Sequence, residues 1–193
     1  MNRVKATDVA GRIAEELLAP LGDRWLHVQS VVKLARNISG VLGVTDRTYL
    51  ISAAYLHDIG YAPSLQDTGF HPIDGARLVL KLGDPRLASL VAHHSGARFE
   101  AELLGLGDQL AQFPREHSAV ADALDYCDAL TGPTGKRVSL HERGQDIRDR
   151  YGDDHIVTQA YRRALPSLVL SVGRTRLRLR QHGILEPTSP ISK

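Results

Sequence analysis

The sequence contains one cysteine, Cys127, so it can form no internal disulfide, and it has no Cys-x-x-Cys pair of the kind that builds a zinc ribbon. Any metal must therefore be held by histidines and carboxylates. Long apolar runs are missing as well: none approaches the ~20 residues of a bilayer-crossing helix, which predicts no membrane span. Charge of one sign is also scarce. The formal net charge is +2, too little to indicate nucleic-acid binding across the molecule. The four arginines in "GRTRLRLRQHG" predict a solvated helix face rather than a phosphate-binding stripe. No Pro/Gly-rich linker divides the 193 residues, so we expect a single domain over 1–182 with a flexible tail over 183–193. The first twenty residues are amphipathic and carry Glu15 and Glu16, which predicts a helix rather than a signal peptide and points to a cytoplasmic protein.

Apolar residues recur every three or four positions through most of the chain, and compact β-branched runs bounded by hairpin signals are nearly absent. The expected fold is all-α, with helices near 5–18, 23–39, 46–58, 72–82, 85–95, 115–130, 140–150, 154–164 and 166–181. Asp84-Pro85 and His71-Pro72 each offer an N-cap followed by a proline at the first helical position, and Ser139 to Glu142 is a capping-box pattern. "HDIGYAPSLQDTGF" and "TGPTGKR" read as loops.

Against this background, some ionisable residues stand on apolar faces. His57 and Asp58 close the run "LISAAYL", and an isolated charge carried into such a core must be neutralised, hydrogen-bonded or bound to a metal. His27 shares a largely apolar helix face with Ser30, Val31, Leu34 and Ile38, and His94 lies over Leu87, Leu90 and Val91, with His93 beside it. Asp128 lies over Leu124, Ala121 and Val120, whereas Asp125 lies over Asp122, Ala121 and Ser118. Several helices that each present a histidine or aspartate from an apolar surface are how bundles build metal sites. Imidazole with carboxylate suits Fe, Mn, Co, Ni or Zn. His117, His141, His155 and His182 sit in polar surroundings and are assigned no site role.

His27, the pair His57-Asp58 in "HDIG", and a distant aspartate in "DYCDAL" together resemble the H…HD…D signature of the HD superfamily of metal-dependent phosphohydrolases, here in the form of a small stand-alone bacterial member. "FHPIDGARLV" and "VAHHSG" resemble the further H…HH elements of members that hold two ions. The resemblance covers roughly residues 23–131. It implies an all-α HD-type bundle and a ligand set of His27, His57, Asp58, His71, His93, His94 and Asp128, with one or two divalent ions and Asp58 as bridge and catalytic group. Asp125 is the alternative last ligand; the apolar face favours Asp128 and leaves Asp125 behind it or facing solvent.

Gly60 is expected to end the helix that delivers His57 and Asp58. Where many HDIG proteins continue with lysine, this chain has Tyr61, and it lacks the Gly-Tyr-Pro element of the cyclic-di-GMP branch. The implied activity is cleavage of a phosphoester of a small metabolite or nucleotide by a metal-activated water, with Arg98, Lys136 and Arg137 as candidate phosphate-binding cations. Two other functions remain in view, a diiron oxygenase of HD type and a non-catalytic, metal-stabilised regulatory module. The sequence assigns no oligomeric state.

Overall fold

The computed structural model describes residues 3–186, and residues 187–193, most of the expected tail, lie outside the described residues. Helices follow one another as α1 (Arg3–Leu18), α2 (Asp23–Ile38), α3 (Val44–Leu56), α4 (His71–Lys81), α5 (Pro85–His93), α6 (Ala97–Leu103), α7 (Gly107–Leu110), α8 (Ala119–Ala129), α9 (Leu140–Tyr151) and α10 (Ile156–Gln181). Short 3-10 turns at Ile59–Tyr61, Pro63–Leu65 and His94–Gly96 link several of them. The expected all-α fold is present. No strand occurs among the described residues beyond one isolated Thr131–Arg137 bridge, and no described helix is long and apolar enough to cross a membrane.

Local chemistry sets several boundaries. Asp84 accepts a hydrogen bond from Leu87 N at 2.9 Å to start α5 ahead of Pro85, and Ser139 and Glu142 form the reciprocal capping box of α9. Helix α8 begins later than expected, at Ala119, because Ser118 caps it by accepting from Ala121 N at 3.2 Å. Helix α4 is capped by Phe70 rather than His71, so the His71 ring is free to turn toward the centre of the bundle.

Two expectations are corrected. The segments 154–164 and 166–181 form one helix, α10, with Pro166 inside it. Proline removes one intrahelical hydrogen bond and crowds the preceding turn, a cost of ~3 kcal/mol. Ala160, Ala164, Leu168, Val172 and Leu179 are all buried along one side of α10, and that shared apolar seam outweighs the local penalty. Helices α6 and α7, which the pattern leaves out, are seven and four residues long, too short to display periodicity.

The core is built around α3, which packs against α1, α2, α5 and α8. Leu50, Ala53 and Ala54 are fully buried there, so the segment that ends in His57-Asp58 is fixed on several sides. Helix α10 packs on α6, α8 and α9 and closes the other side of the site. Arg174 and Arg178 do more than face solvent. Both reach from α10 to Asp122 on α8, with Nε of Arg174 at 2.8 Å and Nη1 of Arg178 at 2.9 Å.

Candidate metal centre

Helix α3 ends at Leu56, with His57 at its C-cap and Asp58 just beyond, so both side chains emerge from a fixed helix end into the middle of the bundle. Gly60 does not end this helix. Its role is close approach: a Cβ there would lie 2.1 Å from the His71 carbonyl oxygen and 2.7 Å from Gly75 N. The missing side chain lets the Asp58 turn lie directly on the start of α4 and brings His71 beside Asp58.

Six of the seven expected ligands converge. His27, His57 and Asp128 present ring nitrogens and a carboxylate oxygen within 4.8 Å of one another, and Asp58, His71 and His94 do the same. Asp58 stands between the triads. Its Oδ2 lies 3.5 Å from His57 Nε2 and 3.8 Å from His27 Nε2, while Oδ1 lies 3.4 Å from His71 Nε2 and 3.8 Å from His94 Nε2.

The protons on these rings are set by the main chain. His27 Nδ1 lies 3.0 Å from the Gly132 carbonyl, His57 Nδ1 2.9 Å from that of Ala54, and His94 Nδ1 2.7 Å from that of Val91. A carbonyl only accepts, so each Nδ1 carries the hydrogen and each Nε2 turns a lone pair inward. Those lone pairs meet one another and the two carboxylates. Nε2 atoms of His27 and His57 are 3.3 Å apart, as are those of His71 and His94, and His27 Nε2 is 3.0 Å from Asp128 Oδ1. Such a concentration of acceptors calls for a cation at its centre, and neutral imidazoles braced by backbone carbonyls are how metal-binding histidines are oriented. The donor set fits divalent metal.

Electrostatics agree. Burial pushes His57 down to about 4 and His71 well below the usual imidazole range, so both rings stay neutral near pH 7. Burial would raise Asp58, but His57 and the Arg24 guanidinium outweigh it and hold the carboxyl well below its usual range.

His93 stands apart. Its Nε2 donates to the Phe113 carbonyl at 2.6 Å, and it belongs to neither triad. Helix α5 stops at His93, whose neighbour His94 turns off with an extended ψ of 152°, so the adjacent rings point in different directions. Asp128 is in the first triad. Asp125 is outside both and instead accepts from Ser95 N at 2.8 Å and from Ser171 Oγ at 3.0 Å.

A cavity of about 130 Å³ opens beside Asp58, His71, His94 and Asp128, walled by α9 and α10. None of the three expected cations lines it. Arg98 stacks on Phe99 at 4.3 Å, Lys136 is exposed on its loop, and Arg137 donates to the Leu130 carbonyl and the Tyr126 hydroxyl. The cations at this cavity are Arg24 and Arg143, which sequence reasoning missed. Arg24 donates to Asp58 Oδ2 at 2.6 Å and lies 4.0 Å over the Tyr61 ring, which stacks on His71 at 4.0 Å between centroids. Its position three residues before His27, on the same helix face, was the available signal. Arg143, half-buried on α9, makes no side-chain hydrogen bond or ion pair among the described residues, though its charge helps to lower Asp128. Nothing local marks it.

A family model, the HD domain, matches residues 24–132. A stretch of 80 residues is 35% identical to Ribonuclease Y of Mesoplasma florum, covering 40% of this chain and 16% of that protein. No solved structure matches.

Proposed function

Because this chain belongs to the HD domain family, matched over residues 24–132, we propose that it is a metal-dependent phosphohydrolase that cleaves a phosphoester of a small metabolite or nucleotide. The observation that carries this reading is the inward convergence of the Nε2 lone pairs of His27, His57 and His94 on the carboxylates of Asp58 and Asp128. His27, His57 and Asp128 would hold one divalent ion and His71, His94 and Asp58 a second, Asp58 standing between the two groups. Bound ions supply Lewis acidity, which polarises a phosphoryl oxygen and lowers the pKa of water toward 7.

The chain's own residues do the rest. Asp58 would orient the attacking water or accept its proton, with Arg24 donating to the carboxylate. Arg143 faces the same cavity with no side-chain hydrogen bond among the described residues and is our candidate for the phosphoryl oxygens, in place of Arg98, Lys136 and Arg137. A cavity of about 130 Å³ is small beside the ~300–1,000 Å³ of sites that enclose whole drug-sized ligands, which favours entry of the phosphoryl end alone. The apolar side chains of Ile147, Val157 and Leu168 on the opposite wall limit bulk water.

The test is elemental analysis joined to a phosphoester panel run with Mn, Co, Ni and Fe. An RNA oligonucleotide belongs in that panel because the matched relative is named a ribonuclease. Asp58→Ala is expected to abolish turnover and reduce bound metal; retention of both would overturn the assignment. Iron content with oxygen uptake and no phosphate release would replace it with oxygenase chemistry.

A further inference from the structure

Ser95 is the only non-glycine residue with positive φ among those described, at 49°. It lies between His94 and Gly96, in the turn after α5. A non-glycine residue in this region costs ~1–2 kcal/mol and persists only where its surroundings impose it. Three contacts impose it. The Ser95 amide donates to Asp125 Oδ1 at 2.8 Å, its hydroxyl donates to Asp128 Oδ2, and Asp125 is itself braced from α10 by the Ser171 hydroxyl at 3.0 Å. Gly96 follows at φ 73°, and a Cβ on it would lie 2.7 Å from the Ala164 Cβ, so the turn sits directly against α10.

We propose that Ser95 and Asp125 are positioning residues of the metal centre: Asp125 holds Ser95 in the left-handed conformation, and the Ser95 hydroxyl fixes the Asp128 carboxylate. Asp128 has two oxygens. Oδ1 faces His27 at 3.0 Å, and Oδ2 accepts from Ser95, so the hydroxyl selects which oxygen is presented to the triad. The same turn aims His94, whose ring belongs to the other triad. One strained residue thereby couples the geometry of both triads, and the strain is kept for ligand orientation and not for stability. Asp125, which the sequence offers as an alternative ligand, has a different function behind Asp128.

This inference rests on the reading of Asp128 as a ligand, and the experiment separates the two. Metal affinity is measured by titrating Mn and Co into purified protein, together with the Co(II) absorption spectrum and thermal midpoint, for Ser95→Gly, Ser95→Ala, Asp125→Asn and Asp128→Ala. Partners that orient ligands from behind contribute about 10–100-fold in metal affinity. Ser95→Gly and Ser95→Ala are expected to weaken metal binding by that range and to shift the cobalt spectrum. Ser95→Gly does so without lowering the thermal midpoint, because glycine relieves the backbone strain. Asp125→Asn, which keeps a carbonyl oxygen for the Ser95 amide, is expected to retain affinity within a few-fold. Parent-like affinity and spectrum in both Ser95 variants would overturn the inference while Asp128→Ala still loses metal; unchanged metal in Asp128→Ala would overturn the ligand reading itself.

Discussion

At Arg143 the geometry leaves a guanidinium half-buried against a small cavity, its charge felt by Asp128 but with no direct ion pair among the described residues, whereas Arg24 across the same space is committed to Asp58. A charged donor of this kind contributes chiefly where charge develops during reaction. Arg143→Ala should lower kcat/KM for the best phosphoester by about 10–100-fold with unchanged metal content. Equal kcat/KM in variant and parent would remove it from the site. Gly60 offers a packing test at the same scale. A methyl group there meets the His71 carbonyl and Gly75 N, both main-chain atoms that cannot swing aside. Gly60→Ala is expected to destabilise by about 1–3 kcal/mol, the range for overpacking, read from a denaturant midpoint. The displacement would carry His71 away from Asp58.

Among the elements, α10 has a surplus waiting to be recovered. Pro166 is exposed, so its ring adds little packing, yet it breaks the hydrogen-bond ladder of a helix anchored on both sides of it. Pro166→Ala should stabilise by about 1–3 kcal/mol and raise the thermal midpoint by several degrees. An unchanged midpoint would mean that the surrounding helix absorbs proline without cost. The same position shows where sequence reading stops. Helix content and most starts were legible because they depend on local signals such as Asp84-Pro85 and the Ser139–Glu142 box. The continuity of α10 was not, because a buried seam spanning Ala160 to Leu179 outvotes one residue. His27, His57, Asp58, His94 and Asp128 were legible as polar groups on apolar faces, whereas His71, which reads locally as an N-cap, was legible only through the resemblance of "FHPIDGARLV" to the further histidine elements of the family. His93 looked equivalent to His94 because the end of α5 that separates them is a main-chain turn with no side-chain signature. The cations were misplaced for a related reason: proximity in sequence to a ligand does not decide direction, and Arg98 and Arg137 turn toward Phe99 and Tyr126.

Over the whole molecule, the buried imidazoles tie stability to pH. His57, pushed down to about 4 by burial from an ordinary 6.5, stays neutral in the folded chain where the unfolded chain is protonated. Between about pH 6.5 and 4 the unfolded state therefore binds more protons, and stability falls as pH falls. His71 has the same sign. Asp125 works in the other direction: burial raises it to about 6 from 3.8, so it contributes stability at low pH that is lost as pH rises through 6. His93, also lowered by burial, adds to the two histidines, and Glu100, raised by burial, adds to Asp125. For protein stripped of metal with a chelator, the urea midpoint is expected to be lower at pH 5 than at pH 7, and equal midpoints would contradict neutral burial of the rings.

The carbonyls of Ala54, Val91 and Gly132 that hold the three imidazoles belong to residues whose own side chains play no part in the site. A scan that replaces side chains one at a time would pass over them without a signal, since every amino acid brings the same oxygen. The proton inventory of this centre is therefore written in the path of the chain and is open to change only by bending it.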